Sequence, residues 1–231
     1  MNKYLLLLSI FLVSNICIYP QTAQPKDDFQ FWSETTVLFP FIKRKNSTGK
    51  EVEKVSFFLN GNLRIGRNIS RPVDERIGFG FEFYVNKFLT FTPNYFYRAG
   101  QPYKGRKEYE HRVRFDVSLA KKWSKFSLKD RNRVEYRIRN SRSDSVRYRN
   151  KIQLSIPFRK EKKEIFTPFV ATEPFYDFRE KKWTRNEFSA GISKKFNDNF
   201  TADLFYLLQN NRGNVLRTIN VLGVNFKIKI D

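Results

Sequence analysis

The chain has 231 residues, a formal net charge of +21, 17% aromatic residues and a mean hydropathy of -0.58. That average reads as an ordinary basic soluble protein, yet it also fits a chain in which lipid-facing Phe alternates with inward Arg and the two cancel. After the first residues no stretch approaches the ~20 apolar residues of a spanning helix, so helical membrane insertion is excluded and only strands could cross a bilayer.

Lys3 supplies a positive start, and Tyr4 to Val13 form an apolar run too short to span as a helix, which together read as a signal peptide. Cleavage is expected after Ala23, giving a leader at 1–23 and one domain at 24–231 that opens with the exposed run Pro25 to Asp28. The single cysteine, Cys17, falls in the leader, so the exported chain is expected to carry no disulfide and no cysteine-bound metal. Ile16 before it is the wrong neighbour for a lipid-attachment cysteine.

From there the recurring period is two, the mark of strands with one apolar face. An opening strand is read at 30–41. Val55, Phe57, Leu59, Leu63 and Ile65 then oppose Ser56, Asn60, Asn62 and Arg64, with Phe58 the exception. Ile77, Phe79, Phe81, Phe83 and Val85 oppose Gly78, Gly80, Glu82 and Tyr84, and Leu89, Phe91, Pro93, Tyr95 and Tyr97 oppose Thr90, Thr92, Asn94 and Arg98. Tyr109, Val113, Phe115, Val117 and Leu119 oppose Glu108, Glu110, Arg112, Arg114 and Asp116. Further strands follow at 125–139, 146–157, 165–176, 183–195, 199–210 and 216–230. Asp130 and Asn132 break the apolar face between Leu128 and Val134, where a bulge is expected.

These elements predict an all-β fold, a transmembrane antiparallel barrel of about 10 to 12 strands. Both termini on the periplasmic side require an even number, ten or twelve, so either a twelfth strand is to be found or one of the eleven, the opening strand, does not cross. Connections near Asn86, Lys122, Lys160 and Asn197 are short and read as periplasmic. Those at Ala99 to Arg106, Asn140 to Ser145, Asp177 to Lys182 and Gln209 to Asn214 are longer or more polar and read as external.

The runs Phe31-Trp32, Ser70 to Gly78, Asn94 to Arg98, Tyr109 to Arg112, Asp130 to Asn132, Arg147 to Asn150, Glu173 to Asp177 and Arg185 to Phe188 stand out along the chain. Together they resemble a family of uncharacterised bacterial outer-membrane proteins, number 2490 in the series of domains of unknown function. The resemblance covers nearly all of the chain after the leader and implies an outer-membrane barrel in a diderm bacterium, with no reaction, ligand or catalytic residue to carry over. Departing from its pattern, the polar insertion Lys43 to Lys54 lengthens the first hairpin, and the chain ends on Ile230-Asp231 rather than on an aromatic residue.

The inward parity is charged. Glu108 to Asp116 face a strand carrying Lys129, Arg131, Arg133, Glu135, Arg137 and Arg139, and one register pairs Glu108 with Arg139, Glu110 with Arg137, Arg112 with Glu135 and Asp116 with Arg131. Arg114 then faces Arg133 and needs a carboxylate from elsewhere, for which Glu82, Glu173 and Glu187 are inward candidates. Arg147, Arg149, Lys151 and Arg185 complete the predicted network. Small barrels have interiors that side chains fill, so a charge-filled lumen in a structural or surface-binding barrel is the first reading. A narrow pore for small anionic solutes is the alternative.

An enzyme acting on lipid or peptide is the rival from another class, but the only histidine, His111, shares its parity with Tyr109 and Val113, away from the charged face. Nucleic acid would suit the basic, aromatic composition; export and strict alternation argue against it. Lys104, Arg106, Lys107, Lys181 and Lys182 near external strand ends could bind glycolipid phosphate. Trp32, Trp123 and Trp183 suit an interfacial girdle. No cofactor and no metal are implied. The expected partners are outer-membrane lipid and glycolipid and, during biogenesis, periplasmic chaperones and the barrel-assembly machinery, with a monomer as the assembled state.

Overall fold

The computed structural model describes residues 26–45, 49–103, 105–161, 163–212 and 216–230; the predicted leader with Cys17, and Lys104, lie outside them. The strands are β1 (Asp27–Lys45), β2 (Glu51–Gly66), β3 (Arg71–Tyr84), β4 (Leu89–Tyr103), β5 (Arg106–Lys122), β6 (Ser127–Arg139), β7 (Ser145–Ser155), β8 (Phe158–Lys160), β9 (Lys163–Asp177), β10 (Lys182–Lys195), β11 (Phe200–Asn211) and β12 (Thr218–Lys229). β8 continues the hairpin arm of β7 past Pro157, so eleven strands form the wall.

Each wall strand pairs antiparallel with the next, β7 with β9, and β1 closes the ring against β12 in parallel, Asp27 beside Thr218 through Leu38 beside Lys229. Eleven lies inside the expected range, but the expected evenness is overturned. A parallel seam closes an odd ring, and it places the start of β1 and the end of β12 at opposite rims. The rim holding the start of β1 is called the upper rim below, and the other the lower.

The length contrast expected between the two sets of loops is absent. Tyr103 pairs with Arg106, which leaves only residues 104–105 between β4 and β5, so most of the stretch Ala99 to Arg106 is strand. The polar insertion is likewise mostly strand: Lys43, Arg44 and Lys45 pair with Glu53, Val52 and Glu51, carrying the first hairpin beyond its neighbours.

The alternation places side chains as the period of two requires. On β3, Ile77, Phe79, Phe81 and Phe83 are exposed on the outer wall while Asp74, Gly78 and Gly80 are buried inside. Phe39, Phe57, Phe81, Phe83, Phe91 and Phe115 form a continuous aromatic belt across β1 to β5, with ring centroids 5.4–6.4 Å apart. A belt of this kind needs an apolar solvent, since water would face it on one whole side.

Two outer-wall expectations are corrected. Asp130 and Asn132 cause no bulge: β6 stays in unbroken register with both β5 and β7, and the two residues bond to polar neighbours on the same outer face. Trp32 is no girdle residue, because its even position on β1 turns it inward, where it is buried. Trp123 and Trp183 are exposed at strand ends, stacked on Phe126 and edge-on to Tyr176 respectively.

Candidate functional site

The lumen is a two-sided chamber. Across β11, β12 and β1, the inward residues Leu207, Ile219, Val221 and Trp32 pack into one apolar cluster, with Phe205 against it. The far end of the Phe205 ring reaches over Gly223, where an added Cβ would clash with it. A smaller cluster of Leu38, Phe58 and Phe96 packs nearer the lower end, and Phe96 passes over Gly78 in the same way. Alternation locates inward positions but does not forbid apolar residues there, which is why sequence marked Phe58 only as an exception and Trp32 only as a girdle residue.

The opposite wall, β3 to β10, is charged. The hairpin turn at Trp123 to Phe126, closed by Trp123 N–H donating to Phe126 O at 2.8 Å, sets Lys122 opposite Ser127. This shifts the β5–β6 register by two residues from the expected one. Arg139 therefore lies opposite Glu110, Arg137 opposite Arg112, Glu135 opposite Arg114, and Arg133 opposite Asp116.

The shifted register produces one like-charge pair, Arg112 with Arg137, and Glu110 resolves it. Its carboxylate accepts from Arg112 Nη2 at 2.6 Å and from Arg137 Nη2 at 2.8 Å, and Arg98 Nη1 approaches at 3.3 Å. Arg133 forms a forked pair with Asp116 at 2.6 and 2.5 Å. Glu135 pairs with Arg147 and lies 3.7 Å from Arg114, and Glu173 takes Arg131 at 2.7 Å and Arg149 at 2.8 Å. Glu173 is thus one of the carboxylates expected from elsewhere, although it serves Arg131 and Arg149 and not Arg114.

The remaining candidates fall in separate places. Glu82 accepts from Tyr84 Oη, Glu187 sits 3.6 Å from Arg185, and Arg139 reaches Ser143 O at the upper rim. Glu108 bridges Arg98 at 3.5 Å and Arg106 at 3.2 Å. Lys151 lines the chamber and makes no ion pair among the described residues. The rim lysines do not gather. Lys107 is on the β4–β5 hairpin while Lys181 and Lys182 are on the β9–β10 hairpin, four strands away, with Lys182 paired to Glu180 at 3.2 Å. His111 faces outward, its Nδ1 2.6 Å from Tyr95 Oη and its ring beside Tyr97.

Asp74, on β3, was missed as a site residue although it lies in a run that carries the family resemblance. It joins Arg76 at 2.5 Å and also Arg98. Near it, a hydrogen-bonded chain runs down the inward face of β1: Asp28 accepts from the backbone N–H of Arg67 at 3.1 Å and Asn68 at 2.9 Å. Gln30 Nε2 donates to Asp28 at 2.7 Å, and Trp32 Nε1 donates to Gln30 Oε1 at 2.7 Å.

Among the described residues, an upper and a lower cavity lie between the walls. The upper measures about 360 Å³ and the lower about 310 Å³, and Trp32, Arg64, Arg76, Arg149 and Glu187 line both, forming a waist. The upper cavity is lined by eleven arginines against five carboxylates. The lower has eight Lys or Arg against six. Both cavities would therefore attract anions, the upper more strongly.

The family model described as "Protein of unknown function (DUF2490)" matches residues 29–218. The chain belongs to this family. Its fold is similar to the NanC porin structure, with a TM-score of 0.50 and 11% identity over 88% of this chain and 99% of that one. It also matches LpxR from Salmonella typhimurium, with a TM-score of 0.45 and 10% identity over 72% of this chain and 81% of that one. No curated protein matches it. At 11% identity the likeness to the NanC porin shows the barrel fold alone and carries no activity with it.

Proposed function

We propose that this family member resides in the outer membrane of a diderm bacterium and that its lumen admits small anionic solutes from the upper rim, performing no chemistry on them. The carrying observation is the upper cavity, open in the upper half of the barrel and holding six more arginines than carboxylates, eleven against five. Arg64 sits at the waist stacked on Trp32 and makes no ion pair among the described residues, so its charge is available to a passing anion. Basic side chains lining a constriction favour anions, as rings of Arg or Lys do in anion pores. The exterior would lie at the upper rim.

One observation favours the alternative of a filled, structural or surface-binding barrel. Glu110, Arg112, Glu135 and Arg137 are each no more than 5% exposed, so the charged wall at mid-height is packed, not wet. Planar-bilayer recording separates the two readings. The proposal predicts small, anion-preferring current steps from purified folded protein; a silent bilayer with correctly folded protein would leave the filled barrel.

A further inference from the structure

The outer wall carries a four-residue polar island within its apolar surface, larger than the outward pairs Thr172–Asn186 and Tyr206–Asn220. Asp130 and Asn132 on β6 and Tyr148 and Asn150 on β7 all point outward by alternation, and Asn132 and Asn150 are register partners. Leu119, Leu128, Val134 and Ile152 around them are 39–49% exposed, so the island is ringed by lipid-facing side chains and lies well inside both rims.

Its hydrogen bonds can be followed atom by atom. Both N–H bonds of Asn150 are used, to Asp130 Oδ1 and, at 3.1 Å, to Asn132 Oδ1. Asn132 Oδ1 also accepts from Tyr148 Oη, and Asn132 gives one N–H to Asp130 Oδ2 at 3.0 Å. Two groups are then left without a partner among the described residues: the second N–H of Asn132 and the carbonyl oxygen of Asn150. Each amide carries two donors and one two-lone-pair acceptor, so the residue is real. Acyl chains can satisfy neither group.

The leftover donor and the leftover acceptor match each other. We propose that this face docks a second copy of the chain, about a two-fold axis beside Asn132 and Asn150. The free N–H of each Asn132 then donates to the Asn150 oxygen of the other copy. A two-fold interface brings the same patch against itself, so a patch with one unused donor and one unused acceptor is completed twice over by that symmetry. Tyr148 and Asp130 hold the two amides in the required orientation, and the flanking Leu, Val and Ile supply the packing that excludes lipid. The dimer departs from the monomer that the sequence alone suggests, and it does not depend on what the lumen admits.

The test is site-specific cross-linking in the native outer membrane with a bis-maleimide, on full chains carrying Cys17→Ser. Val134→Cys beside the island is expected to give a cross-linked dimer at least tenfold more abundant than Leu204→Cys, an outward position on β11. Adding Asn132→Leu and Asn150→Leu to Val134→Cys is expected to remove that dimer while the barrel keeps its heat-modifiable migration, which shows that it still folds. Equal or absent cross-linking at the two cysteines would overturn the proposal, as would a dimer that survives the double leucine change. A Val134→Cys product of different mass would assign the face to another protein and also overturn it.

Discussion

The guanidinium carbon of Arg64 lies 3.4 Å from the centre of the Trp32 ring. These two residues come from neighbouring strands whose register places them side by side, and they form the narrow point at which the two lumen cavities meet. The cation supplies charge, while the ring joins the apolar wall of Leu207, Ile219 and Val221. Such contacts between Arg and Trp contribute about 0.5–2 kcal/mol depending on desolvation.

Removing each partner should therefore have a different effect. Trp32→Ala is expected to merge the cavities and raise single-channel conductance several-fold, at a cost of about 3–5 kcal/mol in stability. Arg64→Gln keeps the length and removes the charge, so anion preference should fall while conductance stays within about twofold. Reversal-potential measurements in a salt gradient check both.

Glu110 is shared by Arg98, Arg112 and Arg137 and is 1% exposed. Glu110→Gln leaves three guanidinium groups competing for a neutral acceptor, and breaking a buried pair by removing one side costs about 3–5 kcal/mol. Glu180→Gln removes the partner of Lys182 at an exposed pair and should change stability by less than about 0.5 kcal/mol. Urea unfolding in lipid vesicles distinguishes these outcomes.

Gly78 lets the Phe96 ring lie across β3 toward Phe58 and Leu38 on the inner wall. A Cβ at that position would lie 2.5 Å from the ring and 2.6 Å from Tyr95 O, so Gly78→Ala should destabilise by about 1–3 kcal/mol through overpacking. At Gly61 a Cβ meets nothing within 4 Å, and Gly61→Ala should be neutral or slightly stabilising. The same unfolding assay compares the pair.

Arg67, Asn68 and Ile69 all have positive φ, at 58°, 54° and 60°, which side chains other than glycine rarely adopt. The Asp28 carboxylate holds two of their N–H groups. Asp28→Ala should release the turn, so that the Arg67 and Asn68 amides lose most of their hydrogen-exchange protection while those of mid-strand β5 keep theirs.

Because β1 and β12 run parallel, an epitope inserted before Asp27 and one added after Lys229 should lie on opposite sides of the membrane. Antibody access to intact and permeabilised cells reads this directly. Equal access to both in intact cells would contradict the parallel seam.

Strand positions and their inward or outward parity were legible from residue order alone, as on β5, where Glu110, Arg112 and Arg114 are buried and Val113 and Phe115 are exposed. Parity is local, fixed by the backbone period. The β5–β6 register was not legible, because it depends on how many residues the Trp123 to Phe126 turn absorbs, and charge matching alone favours the wrong one, with four opposite-charge pairs against the three that form. Nor was the closure, since nothing in β1 or β12 distinguishes a parallel seam from an antiparallel one before the ring is built. Trp32 shows the opposite case: an aromatic residue near a strand end suits the interface or the lumen, and the parity it shares with Asp28, Gln30 and Leu38 on β1 decides for the lumen.

The claim beneath all of this is that hydrocarbon covers the outer wall. The direct measurement is fluorescence of single-tryptophan chains, with Trp32, Trp123 and Trp183 replaced by Phe, in vesicles of lipids brominated on the acyl chain. Val117→Trp, outward on β5, should be strongly quenched, and Ser189→Trp, inward on β10, should not. Equal quenching at the two positions, or none at either in folded protein, would contradict the account.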